Sequence, residues 1–141
     1  MANTGYAWGS FADLQYDPGG GSVDVDGIDV NDEATLTTDE VTPGTKAGCE
    51  ISVHWVEGND GAIDGDLYIY VLRKDTDGNF QTIDDPAFNF ALDVVQNATR
   101  IKVFSIDLRN IGSFKILVDN DSGQDGDLTL GVRYCDVPVA S

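Results

Sequence analysis

The sequence predicts an all-β protein: a single β-sandwich, jelly-roll-like, of roughly eight antiparallel strands. Three observations carry that expectation. Apolar residues recur with period two over run after run, as in strands with one face turned to a core. Clusters of glycine with aspartate punctuate those runs, as turns do. The acids are lopsided, with 21 aspartates against four glutamates (Glu33, Glu40, Glu50, Glu57). Aspartate favours turns because its short carboxylate bonds nearby backbone amides, whereas glutamate favours helices.

In chain order, weak strand signals lie in VDVDGIDV (23–30) and ATLTTDEV (34–41). CEISVHWVE (49–57) puts Cys49, Ile51, Val53 and Trp55 on one face and Glu50, Ser52 and His54 on the other. DLYIYVLRK (66–74) opposes Leu67, Ile69 and Val71 to Tyr68, Tyr70 and Leu72, the pattern of a strand covered on both faces. Phe88, Phe90 and Leu92 alternate with Asn89 and Ala91; the surrounding NFALDVVQNA is the one stretch that also fits a helix. RIKVFSIDL (100–108) does not declare its inward face. SFKILVDN (113–120) groups Phe114, Ile116 and Val118, and DLTLGVRYC (127–135) groups Leu128, Leu130, Val132 and Tyr134. The glycine-rich DPGGGS (17–22) divides the chain into an N-terminal aromatic arm with its hinge, 1–22, and a sandwich domain, 23–141.

At 141 residues the chain can bury a core without staples. Its formal charge of −17 repels phosphate backbones and anionic membranes, so nucleic-acid and membrane binding are poor readings. The first 45 residues hold nine acids and no lysine or arginine, either a solvated acidic surface or one shaped to meet a basic partner. No run approaches the ~20 apolar residues of a membrane-spanning helix. MANTGYAWGSFADLQY lacks the basic and apolar regions of a secretory signal, and a cytoplasmic site of synthesis is expected. Cys49 and Cys135 are then expected as free thiols rather than a disulfide.

The motifs favour no chemistry. An EF-hand loop needs glycine sixth and a glutamate twelfth. Counted from Asp75, those positions hold Phe80 and Pro86, whereas Asp77-Gly78 fits a two-residue hairpin turn. Asp60-Gly61, Asp64-Gly65-Asp66 and Asp125-Gly126-Asp127 read as corners too; a loop calcium site in NDSGQDGD (120–127) is the alternative left open. The single histidine, His54, lacks a nucleophile signature and is expected to be structural. Among 25 carboxylates no catalytic pair can be chosen, although a hydrolase using such a pair stands as a third, weaker reading. Asn97-Ala98-Thr99 and Asn120-Asp121-Ser122 match the glycosylation sequon and are taken as chance. The expectation is a non-enzymatic protein with no catalytic residues, cofactor or metal.

The candidate interface is aromatic: Tyr6, Trp8, Phe11 and Tyr16, ahead of the glycine hinge. Such side chains either cover their own sandwich or anchor a neighbouring subunit. AWGSFADLQYDPGG, GAIDGDLYIYVLRKDTDGNF and SFKILVDNDSG together resemble the small β-sandwich virion proteins of tailed bacteriophages, of decoration or cement type. The resemblance implies a structural role on the virion, binding to the major capsid protein or other virion subunits, assembly in the host cytoplasm, and homo-oligomers such as trimers on the shell. It transfers no functional residues and does not choose head over tail. The rival is a carbohydrate-binding or host-adsorption module in which Trp8, Trp55, Tyr68 or Tyr70 stack on sugar rings.

Overall fold

The computed structural model describes residues 8–58, 62–95, 98–108 and 112–136. Two of the alternating runs form its central pair. β6 (Gly48–Glu57) and β11 (Gly126–Cys135) lie antiparallel in unbroken register from Gly48↔Cys135 to Glu57↔Gly126. β9 (Thr99–Asp107) borders β6. On its other side β11 receives β4 (Ile28–Val30) at one end and β1 (Ala12–Asp13) further along. The second sheet runs β5 (Thr35–Thr37), β10 (Phe114–Asn120), β7 (Leu67–Arg73), β8 (Phe88–Leu92). The eight strands from β4 to β11 thus form two four-stranded antiparallel sheets, ordered β4-β11-β6-β9 and β5-β10-β7-β8, in a jelly roll.

The core lies where the inward rows meet. Cys49, Ile51, Val53 and Trp55 with Leu128 and Leu130 close against Leu67, Ile69, Val71, Phe114, Ile116 and Val118, all fully buried. Each such side chain contributes ~1.5–3 kcal/mol, and together they select this register, because a one-residue slip would turn a whole row to water. Gly126 is required beside Trp55: a Cβ there would lie 2.2 Å from the indole Cζ2.

Four details settle or correct the reading of the sequence. NFALDVVQNA forms the strand β8 followed by irregular chain to residue 95, and no helix occurs among the described residues. The Asp77-Gly78 corner is wider than two residues. Lys74 bridges Phe80, Gly78 takes φ +88°, and Asp75 Oδ1 accepts the amides of Asp77 (2.9 Å) and Asn79 (2.8 Å). Asp60-Gly61 lies outside the described residues. Thirdly, β9 turns Phe104 and Ile106 inward, Phe104 meeting Phe88 and Phe90 edge-to-face.

The fourth concerns the N-terminal piece. Residues 8–16 do not stand off from the sandwich. Trp8 bridges Cys135, β1 pairs with β11, the Leu14 amide donates to Leu130 O (2.8 Å), and the Leu14 side chain is buried in the core. DPGGGS is the turn of a small hairpin between β2 (Gln15–Tyr16) and β3 (Val23–Asp24). Its conformation is set by Asp17, whose Oδ1 accepts the amides of Gly19 (2.8 Å), Gly20 (3.2 Å) and Gly21 (3.1 Å). β11 otherwise offers an open edge to residues 8–14, and pairing it satisfies backbone groups that a free arm would leave to solvent.

Candidate docking face

The register of β1, β11, β6 and β9 fixes which side chains share the outer surface of the first sheet. Across one row stand Trp8, Cys135, Gly48 and Asp107; across the next, Phe11 beside Arg133, Glu50 and Ser105. Asp13, Gly131, Ser52 and Val103 follow, then Thr129, His54 and Ile101, then Asp29, Asp127, Val56 and Thr99.

Large apolar side chains on this face meet water: Trp8 is 39% exposed, Phe11 43%, Val56 39%, Ile101 64% and Val103 43%. Arg133 stiffens the aromatic border. Its guanidinium carbon lies 5.2 Å from the Trp8 ring centre and 4.8 Å from that of Phe11, and its Nε donates to Glu50 Oε1 at 2.7 Å. Between this border and the aliphatic pair Ile101 and Val103 runs the outward row of β6: Gly48, Glu50, Ser52, His54 and Val56. A hollow of about 180 Å³ opens at the Gly48 end, lined by Trp8, Ala47, Gly48, Ile106 and Cys135 together with the polar Ser105 and Asp107.

The structure therefore brings Trp8 and Phe11 together and separates them from Tyr16, which packs partly buried against the core. Tyr6 lies outside the described residues. Sequence reasoning missed Ile101 and Val103, which sit in the one run whose faces it left undecided. The strand's own pattern could not have found them, because apolar residues fall at both parities and only the register with β6 decides which row faces out.

The outer surface of the second sheet is different. Tyr68 and Tyr70 share it with Asn89, Asp119, Leu117, Thr35 and Thr37. Both tyrosines are half-buried. Burial, with help from Asp119 and Tyr68, pushes the Tyr70 hydroxyl up, and burial with Asp121 raises Asp119. Trp55, named as a sugar-stacking candidate, is fully buried and is removed from that role. Its parity, shared with Cys49 and Ile51, turns it into the core.

His54 stands mid-sheet between Thr129 and Ile101. Both cysteines are free and buried. Burial pushes the Cys49 thiol up to about 12, so it stays protonated and is a poor nucleophile. Asn120, in the second sequon, is fully buried with its amide donating to Val30 O and Gln124 O, which rules out a sugar there; Asn97 lies outside the described residues. Among the described residues no group of three acids, histidines or cysteines could hold a metal ion.

No family model matches the chain, and no curated protein matches it by sequence. Solved structures do share its fold. One is the T13 infectious bursal disease virus (IBDV) particle, with a TM-score of 0.53 at 9% identity over 92% of this chain and 32% of the other. Another is tripeptidyl peptidase 2, with a TM-score of 0.52 at 10% identity over 95% of this chain and 10% of the other. The CBM22-1 xylan-binding domain of Paenibacillus barcinonensis Xyn10C gives 0.48 at 15% identity over 99% and 90%. The chain spans about a third of the virus protein and a tenth of the peptidase. These likenesses establish a β-sandwich of a kind found in a viral particle protein and in a peptidase alike, so function has to be argued from surfaces.

Proposed function

We propose that this chain is a non-enzymatic structural protein of a tailed-phage virion, a capsid decoration or cement subunit that docks through the outer face of its first sheet. One observation carries the reading: five large apolar side chains lie exposed on that face, two of them braced by Arg133. Burying an aromatic or branched side chain contributes ~1.5–3 kcal/mol, and aromatic anchors dominate interface energies. Repetition over a shell would strengthen retention further. The partner is the major capsid protein or another virion subunit, reached in the host cytoplasm during assembly. The resemblance of AWGSFADLQYDPGG, GAIDGDLYIYVLRKDTDGNF and SFKILVDNDSG to phage virion proteins points to the same class. The test is co-sedimentation of the purified chain with empty heads of its parent phage: saturable binding supports the reading, and absence of binding at micromolar protein defeats it.

A second reading rests on its own observation. Tyr68 and Tyr70 lie side by side with Asn89, Asp119 and two threonines, a polar aromatic surface suited to sugar rings. Under it the protein adsorbs to a carbohydrate, and glycan-array binding lost in Tyr70→Ala is the expected result.

A further inference from the structure

Glu57 ends β6 on its inward side, where residues 120–126 fold over the end of the sandwich. It is 2% exposed. Its Oε1 lies 3.1 Å from Ser122 Oγ, and Ser122 Oγ lies 2.7 Å from Asn120 Oδ1. The Asn120 amide nitrogen donates to Val30 O (2.9 Å) and Gln124 O (2.7 Å), which fixes its other atom as the acceptor oxygen.

Hydrogens can now be assigned by counting. A serine hydroxyl holds one hydrogen, and an amide oxygen holds none. The 2.7 Å contact has the length of an O–H···O bond, so the Ser122 hydrogen points at Asn120. Ser122 Oγ is then an acceptor toward the Gln124 amide (3.3 Å), and two further oxygens face it at 3.1 Å, the Gln124 carbonyl and Glu57 Oε1. Were Glu57 ionised, neither of those two contacts would hold a hydrogen; the carbonyl has none to give, but a carboxylic acid has one. A proton on Glu57 Oε1 completes the chain Glu57→Ser122→Asn120→Val30. Glu57 Oε2 stays an acceptor beside the indole N–H of Trp55, the other buried polar atom without a well-aligned partner.

We propose that Glu57 is protonated at neutral pH and acts as a pH-sensitive latch, holding residues 120–126 closed over the sandwich end and releasing them as it ionises.

The surroundings favour the neutral form. Asp32 follows β4, Asp121 and Asp125 come from the latched loop, Asp64 and Asp66 from the neighbouring loop, and Asp29 and Asp127 from β4 and the start of β11; residues 28–33, 57–66 and 120–132 carry no lysine or arginine. Burial pushes the Glu57 carboxyl up, against smaller opposing pulls from Trp55, Ser122 and the Gly58 amide. A carboxyl raised in the folded state stabilises the fold below its unfolded range, and that stability is lost as pH rises through the folded value. Release would spread, because the loop is tied to its neighbours. Gly123 N donates to Asp32 Oδ1 (2.9 Å), Asp64 N to Ser122 O (2.9 Å) and Asp121 N to Asp66 O (3.1 Å).

Glu57→Gln tests the latch, since a glutamine amide can donate to Ser122 and accept from Trp55 as the neutral acid does. Carbon-13 NMR of the Glu57 carboxyl should show the protonated form at pH 7. Amide exchange at Ser122 and Gln124 near pH 9 should be about tenfold slower in the variant than in the parent, the two converging at pH 6. An ionised Glu57 signal at pH 7 would overturn the proposal. So would exchange as fast in the variant as in the parent at every pH, or calcium slowing exchange in the parent alone, which would make Glu57 a charged cation ligand.

Discussion

The two sheets share one core but present opposite outer surfaces. The first shows Trp8, Phe11, Val56, Ile101 and Val103 to water, whereas the second keeps Tyr68 and Tyr70 half-buried among polar neighbours and Leu72 buried. The difference arises at the margins. β5 is three residues long and its outward threonines satisfy water, while β9 is a nine-residue border strand with Ile101 and Val103 in its outward row. The outward row of β9 is Thr99, Ile101, Val103, Ser105 and Asp107, so two large apolar side chains stand in water at that margin. One fold thus carries one outer surface with large apolar side chains in water and one that is polar and aromatic.

Substitutions separate these surfaces, and the largest effect should come from the core that supports both. Trp55→Ala is expected to cost ~3–5 kcal/mol of stability in chemical denaturation, abolishing any distinction between the faces by loosening both sheets. Gly126→Ala should cost ~1–3 kcal/mol by pushing against the same indole. If either variant melts like the parent, the packing of the sandwich end described above is wrong.

Next in size is the docking face. Trp8→Ala is expected to weaken attachment to empty heads by ~2 kcal/mol, about thirtyfold. Ile101→Asp should weaken attachment similarly and leave the melting temperature nearly unchanged, because Ile101 is the most exposed of the five. Tyr70→Ala, on the other sheet, should leave head attachment unaltered. Loss of attachment in Tyr70→Ala with retention in Ile101→Asp would reverse the assignment of the two surfaces. Deleting residues 1–16 is a poorer experiment than it looks, since it removes Leu14 from the core along with Trp8 from the surface.

How much of this could be read beforehand follows from where each signal resides. The rows Cys49 to Trp55 and Phe114 to Val118 were legible because strands buried on one face write alternation directly into the sequence. β9 was not, because its charged and apolar residues fall at both parities and only the register with β6 decides between them. Trp8 and Phe11 were legible as unusual aromatics, but their joint placement depends on Arg133, more than 120 residues away. The glycines of 17–22 looked like a hinge; the carboxylate of Asp17, gathering three of their amides, makes them a turn. Glu57 carried half a signal: its parity with Trp55 turns it inward, but its burial is completed by the fold of residues 120–126 over it.

The smallest expected effect concerns those turns and has the opposite sign to the latch. The amides of Gly19 and Gly21 hold the Asp17 carboxyl below its usual range, and the amide of Asn79 does the same for Asp75. A carboxyl lowered in the folded state supports it above the unfolded range, and the support is lost as pH falls through the folded value. Asp17→Ala and Asp75→Ala should therefore differ from the parent at pH 7 and approach it as the solution is acidified below the normal aspartate range. Glu57→Gln should differ only on the alkaline side. Both turns are open to solvent, so the readout has to be local: amide shifts of Gly19 to Gly21 and of Asp77 to Asn79, followed by NMR from pH 7 down to pH 2. Titration of those amides at the ordinary aspartate value would show that the carboxylates do not organise the turns. The hinge reading of 17–22 would then regain its ground, while the Trp8 bridge to Cys135, β1 and the buried Leu14 would still hold residues 8–14 to β11.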